Sequence, residues 1–198
     1  TGVMTVPSDG SVTTAKLGNS AVTTAKINDG AITSAKINSS VGLGITEADQ
    51  WRWTADFTGN ASPITSNWER NDTSFDKIGT GMTESSGIFT FPQTGIYRID
   101  SWTALSLNSN SKYTQLTIRL STDGGSNYYS NAINYTHISN NTGEFTYAHV
   151  MANTIIDVTN TTNFKVAIYI AHHDTNTETR GDTTASQNAT TFIRLGDT

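Results

Sequence analysis

A chain of 198 residues with 12 basic against 17 acidic side chains, net charge -5, has no electrostatic means of gripping a phosphate backbone or an anionic membrane surface. Only 15% of its residues are charged; Thr and Asn supply most of its polarity, which suits pleated surfaces and turns and is common in extracellular and virion proteins. Cysteine is absent, so no disulfide contributes, and the longest apolar run, Val166–Ala171, is far too short to span a bilayer.

No signal peptide is visible, and the opening Thr1-Gly2-Val3 reads as the start of a fragment. The first fifth of the chain then repeats itself. Gly10–Asn19 reads GSVTTAKLGN, Ser20–Asp29 reads SAVTTAKIND and Gly30–Ser39 reads GAITSAKINS. Val12, Val22 and Ile32 align, as do Leu17, Ile27 and Ile37, and the period is unbroken, which is the signature of a stacked architecture. Each repeat offers two sizeable apolar side chains and an Ala. At roughly 1.5–3 kcal/mol per buried aliphatic, these cannot offset about 1–2 kcal/mol per residue of backbone ordering. Chains wound about a shared axis would bury the two apolar rows against their copies, so the repeat predicts homo-oligomerisation. Val12, Ala15 and Lys16 fit one helical face, with Thr13 as a cap, while Thr13, Ala15 and Leu17 fit a strand face equally well. We expect extended pieces joined by tight turns at Asp9-Gly10 and Asp29-Gly30. Lys16, Lys26 and Lys36 read as a solvated face rather than as stacked basic rings. Gly42 and Gly44 loosen the chain, and the stalk is assigned to residues 1–44 and the following domain to 45–198.

From Trp51 onward the pattern has period two. Leu116, Ile118 and Leu120 alternate with Thr117 and Arg119; Phe164, Val166, Ile168 and Ile170 alternate with Lys165, Ala167 and Tyr169; Phe145 and Tyr147 share one face, Ala148 and Val150 the other. Turn-rich segments separate these runs at Pro92–Gly95, Asp123–Ser126 and Ser139–Gly143, and no amphipathic helix is evident. Many short strands at such spacing predict an all-β sandwich or barrel.

Gly87-Ile88-Phe89-Thr90-Phe91-Pro92-Gln93-Thr94-Gly95-Ile96-Tyr97 resembles the C1q/TNF-like family in its aromatic strand, Pro…Gly turn and Gly-aliphatic-Tyr strand opening. Thr191–Gly196 is similar to that family's last strand, and the cadence from Tyr147 to Ile170 to its central strands. The decapeptides separately resemble stalk repeats of bacteriophage tail fibres, and no collagen Gly-X-Y stalk is present, which favours a viral or bacterial source. The resemblance implies a ten-strand jelly roll that assembles as a homotrimer, with an intertwined stalk whose core is Val12, Leu17, Val22, Ile27, Ile32 and Ile37. With both termini at the base of such a jelly roll, loops 108–112, 138–143 and 172–189 fall together at the far end. The candidate apex contacts are therefore Asn108, Asn110, Lys112, Asn140, Asn141, Asp174, Arg180 and Asp182.

His172-His173-Asp174 is the only histidine–carboxylate cluster and the only metal candidate; successive strand residues point to opposite faces, so the alternative is a strand end entering a polar loop. Arg180-Gly181-Asp182 spells an integrin-binding tripeptide, which chance explains in a loop of this composition. The Asn-x-Ser/Thr sequons at Asn60, Asn71, Asn134, Asn140, Asn160 and Asn188 read as compositional. Trp51, Trp53, Trp68 and Trp102 are a sugar-stacking platform or, more commonly for such residues, packing. Catalysis has no foothold: no Cys nucleophile, no Gly-x-Ser-x-Gly, no His-Glu-x-x-His and no phosphate-cradling loop. The expectation is a non-enzymatic fibre tip without cofactor, carried on a virion appendage, binding a host-surface glycan or protein, joined upstream to other fibre components, and engaging neither nucleic acid nor a membrane interior. A structural trimerisation cap and a secreted bacterial C1q-like adhesin are the alternatives.

Overall fold

The structure, a computed structural model, describes residues 12, 13, 15, 17–33, 36, 37, 44–140 and 143–198. The chain divides into two units, residues 1–42 and 43–198.

In the first unit the ten-residue sequence period is a ten-residue conformational period. A tight turn closes through Ala21 N–H to Gly18 O (3.0 Å), and its equivalent through Ala31 N–H to Asn28 O (2.9 Å). Ser20 and Gly30 take the positive φ that these turns need, at 61° and 73°. Mid-repeat, Lys26 N–H donates to Thr23 O and Lys36 N–H to Thr33 O, both at 2.9 Å, and Thr24–Lys26 forms a single 3-10 turn. The turn at Asp29-Gly30 is thus where the sequence predicts it, and the mid-repeat is a short helical turn rather than a strand. Thr23, at the capping position, makes no side-chain capping bond. Lys26 and Lys36 are not free: each ammonium donates to the carbonyl five residues back, Ala21 O at 2.8 Å and Ala31 O at 2.7 Å. The turn at Asp9-Gly10 and Lys16 lie outside the described residues.

The second unit is built of antiparallel strands, and among its described residues there is no α-helix. In chain order they are β1 (Ala48–Trp53), β2 (Phe57–Thr58), β3 (Trp68–Arg70), β4 (Lys77–Ile78), β5 (Thr83–Ser85), β6 (Ile88–Thr90), β7 (Gly95–Leu107), β8 (Ser111–Ser121), β9 (Tyr129–Ile138), β10 (Thr146–Val158), β11 (Lys165–His172), β12 (Glu178–Thr179) and β13 (Asn188–Gly196). One sheet runs β2-β12-β7-β13-β1-β3, with β10 on the other edge of β7 and β4 on β1; the second runs β5-β6-β11-β8-β9. Strands β12 and β13 share one edge of β7 end to end, Thr179 opposite Leu105 and Asn188 opposite Thr103.

Alternation decides which side chains go inward. Tyr97, Ile99 and Leu105 of β7 are buried with Leu116, Ile118 and Leu120 of β8 and Val166, Ile168 and Ile170 of β11. A run of aromatics links the two sheets: Trp53 on Trp68 at 5.2 Å and Trp68 on Phe89 at 4.9 Å, both edge-to-face, and Phe89 on Phe192 at 5.1 Å, tilted at 42°. The fold is therefore all-β and sandwich-like, with its core between the sheets.

Two buried carboxylates fasten the loop between β4 and β5. Glu47 accepts from the N–H groups of Thr80 (3.1 Å) and Gly81 (2.9 Å), and Asp49 from Met82 N–H (2.7 Å), the Trp51 indole (2.9 Å) and Arg70 (2.9 Å). Strands β5 and β6 join through Ser86-Gly87, whose φ values of 53° and 81° are the pair of left-handed residues a two-residue hairpin loop prefers. A Cβ on Gly87 would overlap the carbonyl of Ile64.

Candidate functional site

Three loops meet at one end of the sandwich. They join β7 to β8 (108–110), β9 to β10 (139–145) and β11 to β12 (173–177). Asn140 N–H donates to Asn110 Oδ1 at 2.7 Å, the Ser109 hydroxyl donates to Asp174 at 2.7 Å, and Asp174 N–H donates to Ser111 Oγ at 3.3 Å. Asp174 also accepts from Asn176 N–H and the Asn176 amide, at 2.9 and 3.0 Å. The Ser109 hydroxyl foremost, with Asn176 N–H, holds its carboxyl below the usual range. Asn140 is buried and its amide donates to Glu144 O, so it shapes its loop from inside. Of the predicted contacts here, Asn108, Asn110 and Lys112 are exposed; Asn141 lies outside the described residues.

Arg180 and Asp182 are placed differently. Arg180 N–H donates to Ala104 O at 3.0 Å, and Ala104 N–H donates to Gln187 O at 2.8 Å. Residues 181–186 therefore leave β7 and return to it at one point. This excursion lies against β1 and β3 rather than at the loop end: Asp182 N–H reaches Trp53 O, Arg52 donates to Thr183 O, and the Thr183 hydroxyl donates to Glu69 at 3.0 Å. The Arg180 guanidinium is held between Asp56 (2.7 Å) and Glu178 (2.5 Å). Asp182 accepts from Ala185 and Thr184 N–H, which hold its carboxyl far below the usual range. An integrin-binding tripeptide needs both side chains free at a loop tip; here both are occupied within the fold.

His172 and His173 part company, as alternation requires. His172 is buried and shares hydrogen bonds with the hydroxyls of Thr114 through Nδ1 (2.9 Å) and Thr179 through Nε2 (3.2 Å). Burial, against a smaller opposing effect of Asp174, pushes its pKa down to about 4. Both ring nitrogens are thus engaged, and among the described residues no group of three His, Cys, Asp or Glu side chains could hold a metal ion. His173 is exposed beside Tyr113, at 5.9 Å, with Tyr135 a further 6.2 Å from Tyr113.

Trp51, Trp53 and Trp68 belong to the aromatic core, and Trp102 lies half-buried on the outer face of β7 opposite Met151. In the first unit the apolar row is exposed as far as Ile32, Val12 by 55%, Leu17 by 48%, Val22 by 58%, Ile27 by 38% and Ile32 by 55%, while Ile37 is half-buried. Val22, Ile27 and Ile32 line an open groove of about 420 Å³ with Thr24 and Gly30. Exposed apolar side chains also stand on β10 (Tyr147, Met151 and Ile155) and on β9 (Ile133 and Tyr135, with Tyr129 beyond a register shift in the strand). The two strands are stitched by Asn134, which donates to Met151 O at 2.6 Å. No β-pairing joins them: β10 is an edge strand of the first sheet and β9 of the second, and alternation within each strand does not reveal that the two edges approach.

No family model matches the chain, and no curated protein sequence matches it.

Proposed function

We propose that the chain is one protomer of a homotrimeric, non-enzymatic fibre tip on a virion appendage. Residues 43–198 are its jelly-roll knob, and the loop end contacts a host-surface glycan or protein. The observation that carries this reading is the stalk row. Five consecutive apolar side chains at five-residue spacing stand exposed on a unit too thin to bury them, and a groove between successive repeats is left open for a partner's side chain. Strand order supports the jelly roll: β1, β13, β7 and β10 lie in one sheet and β6, β11, β8 and β9 in the other, and the chain changes sheet between β7 and β8, β9 and β10, and β10 and β11. The exposed apolar side chains on β9 and β10 give the knob its own surface for a second copy. Three copies of the loop end make weak single contacts sufficient.

Light scattering tests the assembly: a mass of about three times 21.3 kDa is expected, and a monomer would end this reading. Recognition is tested at exposed residues of the loop end, Asn108 in the loop and Lys112 at the start of β8. Asn108→Ala with Lys112→Glu should abolish attachment to host cells while leaving the trimer intact. A second reading, a trimerisation cap without a receptor, is favoured by one observation: Ser109, Asn110, Asn140 and Asp174 spend their polar groups on one another. Unchanged attachment by the double variant would select it.

A further inference from the structure

The arginines of this chain follow a rule with one departure. Arg52 lies beside Glu69, Arg70 beside Asp49, Arg98 beside Asp100, Arg180 beside Asp56 and Glu178, and Arg194 beside Asp197. Among the described residues Arg119 has no carboxylate partner. Its guanidinium lies over the Tyr169 ring, 4.4 Å from the centroid, and its Nε is buried without a hydrogen-bond acceptor. In a chain of net charge -5 an unpaired, half-buried cation is unexpected, because carboxylates are plentiful and an orphaned charged donor is costly.

The surroundings are phenols and hydroxyls. Arg119 is paired with Ala167 of β11 and Ser130 of β9, and Tyr169 lies two residues beyond Ala167, so these residues share the outer face of the five-stranded sheet. Tyr128 stands next to them: burial first, then the charges of Tyr169 and Asp123, push its phenol up. Gly125 keeps the space beside Tyr128 open, since a Cβ there would lie 3.3 Å from the Tyr128 hydroxyl and 4.0 Å from the Lys165 stem. Asp123, the anion that acts on Tyr128, is turned into its own loop, accepting from the Ser121 hydroxyl (2.7 Å), Asn127 N–H (2.9 Å) and the Asn127 amide (2.7 Å). It therefore does not serve as the missing partner of Arg119.

We infer that the outer face around Arg119, Tyr169 and Tyr128 binds a carboxylate-bearing pyranose, the acidic sugar unit of an anionic surface polysaccharide. The guanidinium supplies the planar two-pronged donor that a carboxylate fits, and the Tyr169 ring behind it fixes its plane. The phenols of Tyr128 and Tyr169 and the Ser130 hydroxyl meet ring hydroxyls, which an acidic peptide lacks. The negative net charge does not forbid this, because charges farther than about 8 Å are screened at physiological ionic strength. The site rests on the receptor-binding reading and deepens it, adding a lateral sugar contact to the loop end.

The test uses the full chain and four probes: a tetra-uronate, maltotetraose as its neutral counterpart, free glucuronate, and tetra-aspartate. Titration followed by saturation-transfer NMR should show the tetra-uronate binding at least about tenfold more tightly than maltotetraose, with glucuronate weaker than the tetramer and tetra-aspartate silent. Arg119→Gln, with an unchanged melting temperature, should reduce uronate binding to the neutral level. Tyr128→Phe, which removes one hydroxyl and no volume, should weaken it about threefold and decides the matter if Arg119→Gln fails to fold. Equal binding of acidic and neutral sugars, equal binding of tetra-aspartate, or uronate binding indifferent to either variant would each overturn the site. Asn108→Ala with Lys112→Glu should leave uronate binding intact. Absent uronate binding in a chain whose attachment still depends on those two residues would sink this site and leave the receptor reading standing.

Discussion

Acidification should weaken the knob through His172. The imidazole lies on the inward face that also carries Ile168 and Ile170 and is 3% exposed. Neutral, it donates from one ring nitrogen and accepts at the other, which suits the Thr114 and Thr179 hydroxyls. Protonated, it must donate from both, so one hydroxyl has to turn round, and a charge is left between the sheets. Asp174 is the charged group that acts against this, but its oxygens are committed to Ser109 and Asn176; Glu178, on the neighbouring β12, is committed to Ser106 and Arg180. The unfolded chain takes up the proton near 6.5 and the folded chain only near about 4, so the unfolded state binds more protons throughout that window and stability falls as pH falls. The gap of about 2.5 pH units, at about 1.4 kcal/mol each, amounts to about 3 kcal/mol per chain, complete once pH is below about 4. Urea unfolding of the wild type and of His172→Gln, at one protein concentration and a series of pH values between about 7 and 4, reads this directly. Glutamine donates and accepts without titrating, so the difference between the two slopes isolates His172 from every other group. Parallel pH profiles would refute the reasoning, whatever the absolute stability of the variant.

Leu116→Ala, at a fully buried position between the sheets, should cost about 2–5 kcal/mol by urea unfolding. Asn188→Ala removes an acceptor from Trp53 N–H and donors to Trp53 O and Arg180 O at a site 0% exposed, and should cost about 2–4 kcal/mol. Its effect should appear first as faster amide exchange in residues 180–187. Gly87→Ala forces a side chain into a left-handed turn and against the Ile64 carbonyl, so a loss of at least about 1–3 kcal/mol is expected; a neutral result would mean that the hairpin loop can change type.

The sequence exposes the long strands clearly, because each buries one face and the alternation of Leu116, Ile118 and Leu120 or of Val166, Ile168 and Ile170 survives in full. It hides β1 to β5. There the side chains that fix the backbone are polar and their partners distant: Glu47 and Asp49 bind N–H groups 33 and 34 residues away, and Arg52 is 1% exposed in a strand whose composition reads as surface. The same blindness explains the site residues. That three loops gather at one end follows from strand order, but that Arg180 turns inward depends on Asp56, more than a hundred residues upstream. His172 has the composition of a ligand and the contacts of a core residue. Arg119 carries the opposite error: as a polar residue between two apolar ones in a strand it reads as solvent-facing. Only the ion pairs of the other arginines reveal that it lacks one.

The stalk leads to a last prediction, about register. Its apolar rows repeat every ten residues and its turns repeat with them, so three copies displaced by one repeat would lose the contacts of a single terminal repeat and keep every other contact in kind. On apolar burial alone, at roughly 1.5–3 kcal/mol per aliphatic side chain, that separates the correct alignment from the slipped one by only a few kcal/mol per chain, and the separation shrinks if the terminal repeats fray. A periodic stalk cannot hold itself in register for the same reason that a featureless coiled coil cannot: nothing in it is unique. In the homotrimer proposed above, the aperiodic second unit, with the exposed apolar side chains of β9 and β10, would bring three chains into one alignment before the weaker contacts of the repeats form. Residues 1–44 as an isolated peptide should therefore be monomeric and unordered at micromolar concentration, and fused to an unrelated trimeric domain they should order. Ile27→Asp in the full chain should open the stalk to protease without changing the mass or the melting temperature of the knob. An isolated stalk peptide that trimerises cooperatively would show that the register is written in the repeats, and would remove the knob's part in organising the fibre.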